Sequence, residues 1–217
     1  MEIKPAKAVN FDMDGVLIDS EKFWKQAESE VFSSLGVKIT DEFTQFTQSM
    51  TTAEVTEFWY KKYPWDNIAL DTVEQQVISR VIELIATEDC TIAGIKKFIE
   101  DLKSKQYKIG LATNSPYRII QTVLDKAEIA HLFDHITSAE FEEHGKPHPA
   151  VYFTSAKNLK VDPQHCFVIE DSQSGILAAK NAGMTVIAFT NQNSEIYFDL
   201  ADHRIISFED PLPALFS

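Results

Sequence analysis

Lys7-Ala8-Val9-Asn10-Phe11-Asp12-Met13-Asp14-Gly15-Val16-Leu17-Ile18-Asp19-Ser20 is the stretch whose reading decides the fold. A mostly apolar run ends abruptly in two carboxylates and a glycine. An apolar run bounded by a turn signal is how a strand buried on both faces of a parallel sheet reads. Open α/β sheets bind ligands outside the carboxyl ends of their strands, so Asp12 and Asp14 would stand at a binding edge. If the strand stayed regular, residues two apart would share a side, about 6.6 Å from each other. That spacing lets one carboxylate attack while the other handles protons. Gly15 permits a sharp turn where a side chain would crowd a ligand. D-x-D-G also occurs in surface turns, and D-x-D opens an EF-hand loop, which needs Gly at its sixth position and Glu at its twelfth. Counted from Asp12, those positions hold Leu17 and Phe23, which excludes the calcium loop.

Outward from that stretch, 217 residues suffice for one α/β domain with a small insertion. Apolar residues make up 44%, enough for a core, yet no run of 18 is continuously apolar, so no membrane span is expected. Met1 to Lys7 carries Glu2, Lys4 and Lys7 rather than the apolar segment of a secretory leader. Cys90 and Cys166 lie far apart in the chain, which predicts buried, reduced thiols and a cytoplasmic location. The 20 basic and 33 acidic side chains give a net charge of −13. Such a field repels nucleic acid and anionic membranes, and neither is an expected partner. It also repels phosphorylated small molecules unless a local cation reverses its sign. A monomer is the expected state.

In chain order, Ser20 is a candidate cap for a helix running to about Leu35, with Phe23, Trp24, Ala27, Val31 and Leu35 on one stripe and Gly36 closing it. Lys38 to Ser49 reads as a polar, partly helical connection. Thr52 to Tyr63, stopped by Pro64, and Ala69 to Ala86 both show helical spacing. No strand signal falls between about 20 and 88. From Thr91 on, helix and strand alternate. Helices are expected at Ile92 to Gln106, Pro116 to Lys126, after Pro149 to about Leu159, and Ser174 to Ala182. Strands are expected at Lys108 to Thr113, His135 to Ser138, Cys166 to Ile169 and Thr185 to Phe189, with an edge strand at Arg204 to Phe208. The fold class is α/β: a doubly wound, Rossmann-like parallel sheet over residues 1–18 and 89–217, with an all-helical cap at 19–88 inserted after the first strand.

A doubly wound sheet brings the C-terminal ends of its strands to one edge. Four such ends carry polar chemistry: Asp12/Asp14, Thr113-Asn114-Ser115-Pro116, the loop Gly145-Lys146-Pro147, and Glu170-Asp171-Ser172. Singly, each has a plain structural reading, as a helix cap, a solvated loop lysine or a polar strand end. In this order at one edge, they make the chain resemble the haloacid dehalogenase superfamily of phosphohydrolases over essentially its whole length. The motifs stand here as FDMDG, LATNS, GKPHP and VIEDS. Their spacing and the helical block resemble the branch holding β-phosphoglucomutase and small sugar-phosphate phosphatases.

The resemblance implies a site. A phosphomonoester brings about −2 to Asp12, Glu170 and Asp171, and two unit charges 4 Å apart repel by about 4 kcal/mol at an effective dielectric near 20. Mg²⁺ is the implied cofactor, because it binds through one or two carboxylates plus substrate phosphate. Its implied ligands are the Asp12 carboxylate, the Asp14 carbonyl and Asp171, with Glu170 beside them. Lys146 supplies a further positive charge, while Thr113, Asn114 and the amides that open the next helix suit phosphoryl oxygens. Asp12 is then the nucleophile that forms an aspartyl-phosphate, and Asp14 is first the acid for the leaving alcohol and then the base for water. The family's dehalogenases lack the second Asp, because a halide leaves without a proton.

The expected function is therefore Mg²⁺-dependent hydrolysis of a small phosphomonoester, a sugar or sugar-alcohol phosphate. The alternative is a phosphosugar mutase of the β-phosphoglucomutase type. Mutases of this branch place a His four residues past the position of Ser20 and an Arg in the cap that grips the second phosphate. The matching positions hold Trp24 and Thr51. Phe58-Trp59-Tyr60-Lys61-Lys62-Tyr63-Pro64-Trp65 looks more like the hexose- and hexitol-phosphate phosphatases, including 2-deoxyglucose-6-phosphatase. Trp24 and Phe23 also read as cap core. A cap lysine forming a Schiff base (Lys22 or Lys25) and a non-catalytic binding module are weaker readings, the second opposed by intact Asp12, Asp14, Lys146 and Asp171. Asn10 stands in the central strand where an apolar residue is expected, and a buried amide without partners costs about 1–3 kcal/mol.

Overall fold

The computed structural model describes residues 7–39, 47 and 50–216. Most of the expected connection from Lys38 to Ser49 lies outside the described residues. Six strands, β1 (Ala8–Phe11), β2 (Lys108–Thr113), β3 (His135–Ser138), β4 (Cys166–Glu170), β5 (Thr185–Phe189) and β6 (His203–Ile205), form one sheet in the order β3-β2-β1-β4-β5-β6. Every pairing is parallel. The fold is thus the expected doubly wound α/β sheet, with β1 at its centre. The winding reverses between β1 and β4, and a crevice opens above that pair of strand ends, where such sheets take their ligands.

Among the described residues, the block 19–88 contains helices and no strand: α1 (Glu21–Ser34), α2 (Thr52–Lys62) and α3 (Leu70–Thr87). Val73, Val77, Ile78, Val81, Leu84 and Ile85 form the buried stripe of α3, which packs on α1, on α2 and on α5 (Tyr117–Lys126). Thr51 caps α2 in a reciprocal box with Glu54. Around the sheet run α4 (Ile95–Ser104), α5, α6 (Ala150–Leu159) and α7 (Gln173–Asn181). Ile95, Phe98, Ile99 and Leu102 make the buried face of α4, each worth roughly 2 kcal/mol of transfer energy.

The alternation of β1 divides the core. Val9 and Phe11 join the large cluster with α4, α5 and the cap helices, while Ala8 joins the smaller cluster under α6 and α7. Asn10 shares the second face, and its Oδ1 accepts a 2.6 Å hydrogen bond from Ser155 Oγ on α6. Gly110 on the neighbouring strand makes room for it, since a Cβ there would stand 2.3 Å from that Oδ1. The Asn10 Nδ2 has no partner among the described residues.

Three expectations need correction. The strand ends at Phe11, so strand alternation does not bring Asp14 beside Asp12. A tight turn does, with Leu17 N donating to Met13 O at 2.9 Å and Gly15 N to Ile18 O at 2.7 Å. Ser20 stands at the N-cap of α1 but makes no capping bond, its backbone being helical (φ −104°, ψ −7°) rather than extended, and its hydroxyl donates to Asp14. The edge strand is His203–Ile205, shorter and shifted towards the N-terminus relative to the expected Arg204 to Phe208; the Phe208 side chain instead stacks on Phe189 at 4.1 Å.

Candidate active site

β1 and β4 end side by side, and Asp12 N donates to Ile169 O at 3.0 Å, extending the ladder by one bond. That places the Asp12 side chain in the crevice at the switch point. Lys146 enters from the loop before α6 and is 5% exposed. Its Nζ donates to Asp12 Oδ1 (2.6 Å), Glu170 Oε1 (2.6 Å) and Ala112 O (2.8 Å), which fills all three N–H positions. Asn114 fixes the lysine backbone from both sides, accepting from Lys146 N at 2.8 Å and donating to Lys146 O at 3.3 Å. Glu170 is fully buried. Tyr152 OH donates to its Oε1 at 2.7 Å, and Ser172 Oγ to its Oε2 at 3.0 Å.

Two glycines make this possible. A Cβ on Gly175 would stand 1.8 Å from Glu170 Oε1, so α7 approaches the carboxylate only because that position has no side chain. Gly15 has φ +77°, and a Cβ there would stand 1.8 Å from Asp171 Oδ2. It is needed both for its left-handed backbone and for the space it leaves.

Asp14 is held as firmly. Its Oδ1 accepts from Ser20 Oγ and, at 2.8 Å, from Trp24 Nε1; its Oδ2 accepts from Ser115 Oγ at 2.5 Å. Ser138 Oγ in turn donates to Ser115 O at 2.7 Å. Thr113 Oγ1 accepts from Ser115 N at 3.0 Å. Two of the three donors to Asp14 therefore come from the start of α1 and one from the turn after β2. Of the two aromatic residues expected as cap core, Phe23 is core at 3% exposure, while Trp24 is half-buried and faces the site.

The charges are out of balance. Burial pushes the Asp12 carboxyl up to about 7, against the pull of Lys146, with Glu170 and Asp14 adding to the rise. Asp171 is also raised well above the ordinary carboxylate range, first by burial and then by Glu170, Asp12 and Asp14. Burial alone would lower Lys146, but Asp12 and Glu170 outweigh it and keep the ammonium charged. Three carboxylates thus face one ammonium. Asp12, Glu170 and Asp171 each offer an oxygen within 4.8 Å of the others. A divalent cation fits this donor set, since it would neutralise the surplus of two negative charges.

Asp12, Asp14, Thr113, Asn114, Lys146 and Asp171 all line one cavity of about 370 Å³, which residues of α1 and α2 line from the other side. The structure thus brings together every site residue expected from the sequence, Glu170 lying just beneath the cavity floor. Sequence reasoning missed the functional contacts of Ser20, Trp24, Ser115, Tyr152 and Gly175. Ser115 sat inside a motif already singled out, whereas nothing in the spacing of Tyr152 marks it as a partner of Glu170.

Residues 9–189 match the haloacid dehalogenase-like hydrolases. The chain belongs to this family. It is 35% identical over 207 residues to hexitol phosphatase B of Escherichia coli, covering 94% of this chain and 93% of that one. It is 31% identical over 182 residues, 82% of each chain, to a phosphorylated carbohydrates phosphatase of Thermotoga maritima. Among solved structures, β-phosphoglucomutase of Clostridium difficile superposes with a TM-score of 0.80 at 28% identity, over 94% of this chain and 92% of that one. CbbY of Rhodobacter sphaeroides, solved with phosphate, shares the fold with a TM-score of 0.84 at 23% identity, over 94% and 96% of the two chains. The protein is a phosphoric monoester hydrolase acting on a small phosphorylated substrate. No helix among the described residues is long and apolar enough to cross a membrane.

Proposed function

We propose that the chain hydrolyses a sugar or sugar-alcohol phosphate by way of an aspartyl-phosphate on Asp12, and that it is a phosphatase rather than a mutase. The observation that carries this reading is the paired setting of the two carboxylates in one cavity. Asp12 has one oxygen held by Lys146 and the other without a protein donor among the described residues. Asp14 has both oxygens fixed by Ser20, Trp24 and Ser115. Asp12 attacks the phosphorus with its unheld oxygen, and the bond to the leaving oxygen breaks as Asp14 gives that oxygen a proton. Asp14, now a carboxylate, takes a proton from water, which attacks the phosphorus and releases inorganic phosphate and free Asp12. Lys146 stabilises the charge on Asp12 and the phosphoryl oxygens, and Thr113 and Asn114 orient them. Mg²⁺, held by Asp12, Asp171, Glu170 and the Asp14 carbonyl, would supply the charge neutralisation that lets a dianion enter.

The 19–88 block acts as the cap that chooses the alcohol, over a core of 1–18 and 89–217. A mutase must hold a bisphosphate and keep water from its aspartyl-phosphate. Thr51, at the expected arginine position, is engaged by Glu54, whose Oε2 accepts from Thr51 N at 2.7 Å. The cations that line the cavity among the described residues are Lys146 and Lys25, and Lys25 is paired with Glu21 at 2.6 Å. Apart from Lys146, a second phosphate could therefore draw there only on Lys25, which would have to leave Glu21. The buried free thiols Cys90 and Cys166 are in keeping with a cytoplasmic location, and the protein acts as a monomer. The hexitol and carbohydrate phosphatases among its relatives support the substrate class.

The test supplies β-glucose 1-phosphate with a trace of the 1,6-bisphosphate in Mg²⁺, and separately a panel of hexitol phosphates, following inorganic phosphate. Release of phosphate from the panel, absent in Asp12→Asn, is the expected result. Glucose 6-phosphate forming much faster than inorganic phosphate would establish a mutase instead.

A further inference from the structure

Glu28 lies one helical turn beyond Trp24 on α1, on the same side of the helix, and lines the same cavity. It is half-buried and has no hydrogen bond or ion pair among the described residues. Lys25, the cap's cation among the described residues lining the cavity, is paired with Glu21 rather than with Glu28, and Met50 and Val55 offer a carboxylate no compensation. Desolvation alone pushes its carboxyl up to about 7. A half-buried carboxylate without a protein partner is costly unless something binds it. The catalytic steps do not use it, because Asp14 already serves the leaving oxygen.

We propose that Glu28 is the residue that selects the alcohol, accepting hydrogen bonds from hydroxyls of the substrate's leaving group and rejecting substrates that carry a second phosphate. The inference rests on the hydrolase reading above and names its specificity element. The acid stands on α1, which also supplies two donors to Asp14, so one helix orients the proton donor and reads the alcohol it protonates. A hydroxyl-rich, uncharged chain such as a hexitol offers several donors to an acceptor-only carboxylate. A second phosphate dianion in the same place would meet like charge.

Glu28→Leu separates this role from a merely structural one. Against sorbitol 6-phosphate its KM rises tenfold or more, with kcat within about threefold of the wild type. Against ethyl phosphate, which has no hydroxyl to read, kcat/KM falls at least fivefold less than it does against sorbitol 6-phosphate. Glu28→Gln raises the ratio of kcat/KM for fructose 1,6-bisphosphate to that for sorbitol 6-phosphate. Equal losses on sorbitol 6-phosphate and ethyl phosphate, or no loss on either, overturn the proposal. A calorimetric titration of sorbitol 6-phosphate into Asp12→Asn, with and without Glu28→Leu, reads binding without turnover. If wild type releases no phosphate from sorbitol 6-phosphate but Glu28→Leu weakens that binding, the hydrolase reading fails and the Glu28 assignment stands. Phosphate release with unweakened binding gives the converse, and neither release nor binding defeats both.

Discussion

The edge of the sheet and the wall of the cap face each other across one cavity and are built on opposite rules. At the edge, Lys146 Nζ has three acceptors and Glu170 is held from both oxygens, all within a buried network. At the wall, Glu28 has no protein partner among the described residues, and Thr51 is turned to its own helix cap. Apart from the unheld oxygen of Asp12 and the charge a cation would supply, the edge is satisfied without a substrate. On the wall, Glu28 is the acceptor that we propose a ligand satisfies. Chemistry common to many substrates needs fixed geometry, whereas choice among substrates needs groups whose partners the protein withholds.

The largest blow to that contrast should come from Lys146→Met. It leaves Asp12 and Glu170 facing each other without their ammonium, and breaking a buried pair by removing one partner costs about 3–5 kcal/mol. Denaturant unfolding should show that loss, and turnover should fall about a hundredfold or more. A variant as stable as the wild type would mean that the edge is not held electrostatically.

Trp24 sits where the two regions meet, and Trp24→Phe removes one donor to Asp14 while keeping an aromatic ring. A hydrogen bond to a charged group is worth about 1.5–3 kcal/mol, so kcat on an alkyl phosphate should fall about tenfold or more with little change in KM. The loss should shrink on p-nitrophenyl phosphate, whose leaving group hardly needs a proton. Equal losses on both esters would assign Trp24 to packing rather than to the acid.

The smallest effect belongs to the wall itself. Burial raises the Glu28 carboxyl from 4.5 to about 7, so between those values the folded state binds more protons than the unfolded chain. Stability contributed by the neutral acid is therefore present below about 4.5 and lost as pH rises through about 7. Glu28→Gln should melt about 2–4 °C above the wild type at pH 8, which corresponds to about 1 kcal/mol after allowing for partial exposure. At pH 5 the two proteins should nearly coincide. Equal melting at both values would mean that the carboxylate is already satisfied.

The sequence by itself determined the sheet, its winding and the four polar strand ends. Each of these is a local pattern: an apolar run that ends in carboxylates, a helical stripe, or a glycine or proline at a boundary. It did not show why Asn10 is tolerated, because Ser155 and Gly110 come from other elements and meet it only across the packed sheet. Ser20 read as a helix cap, since a hydroxyl before a helix usually finds the helix's own amides; the turn at Gly15 instead swings Asp14 within its reach. Tyr152, Gly175 and Glu28 were equally silent. A tyrosine on an amphipathic helix, a glycine in a helix and a glutamate among exposed charges carry no mark of their neighbours. Only the tertiary structure decided that these three lie against a buried carboxylate or an open cavity, because desolvation and hydrogen-bond partnership belong to the packed chain and not to the order of its residues.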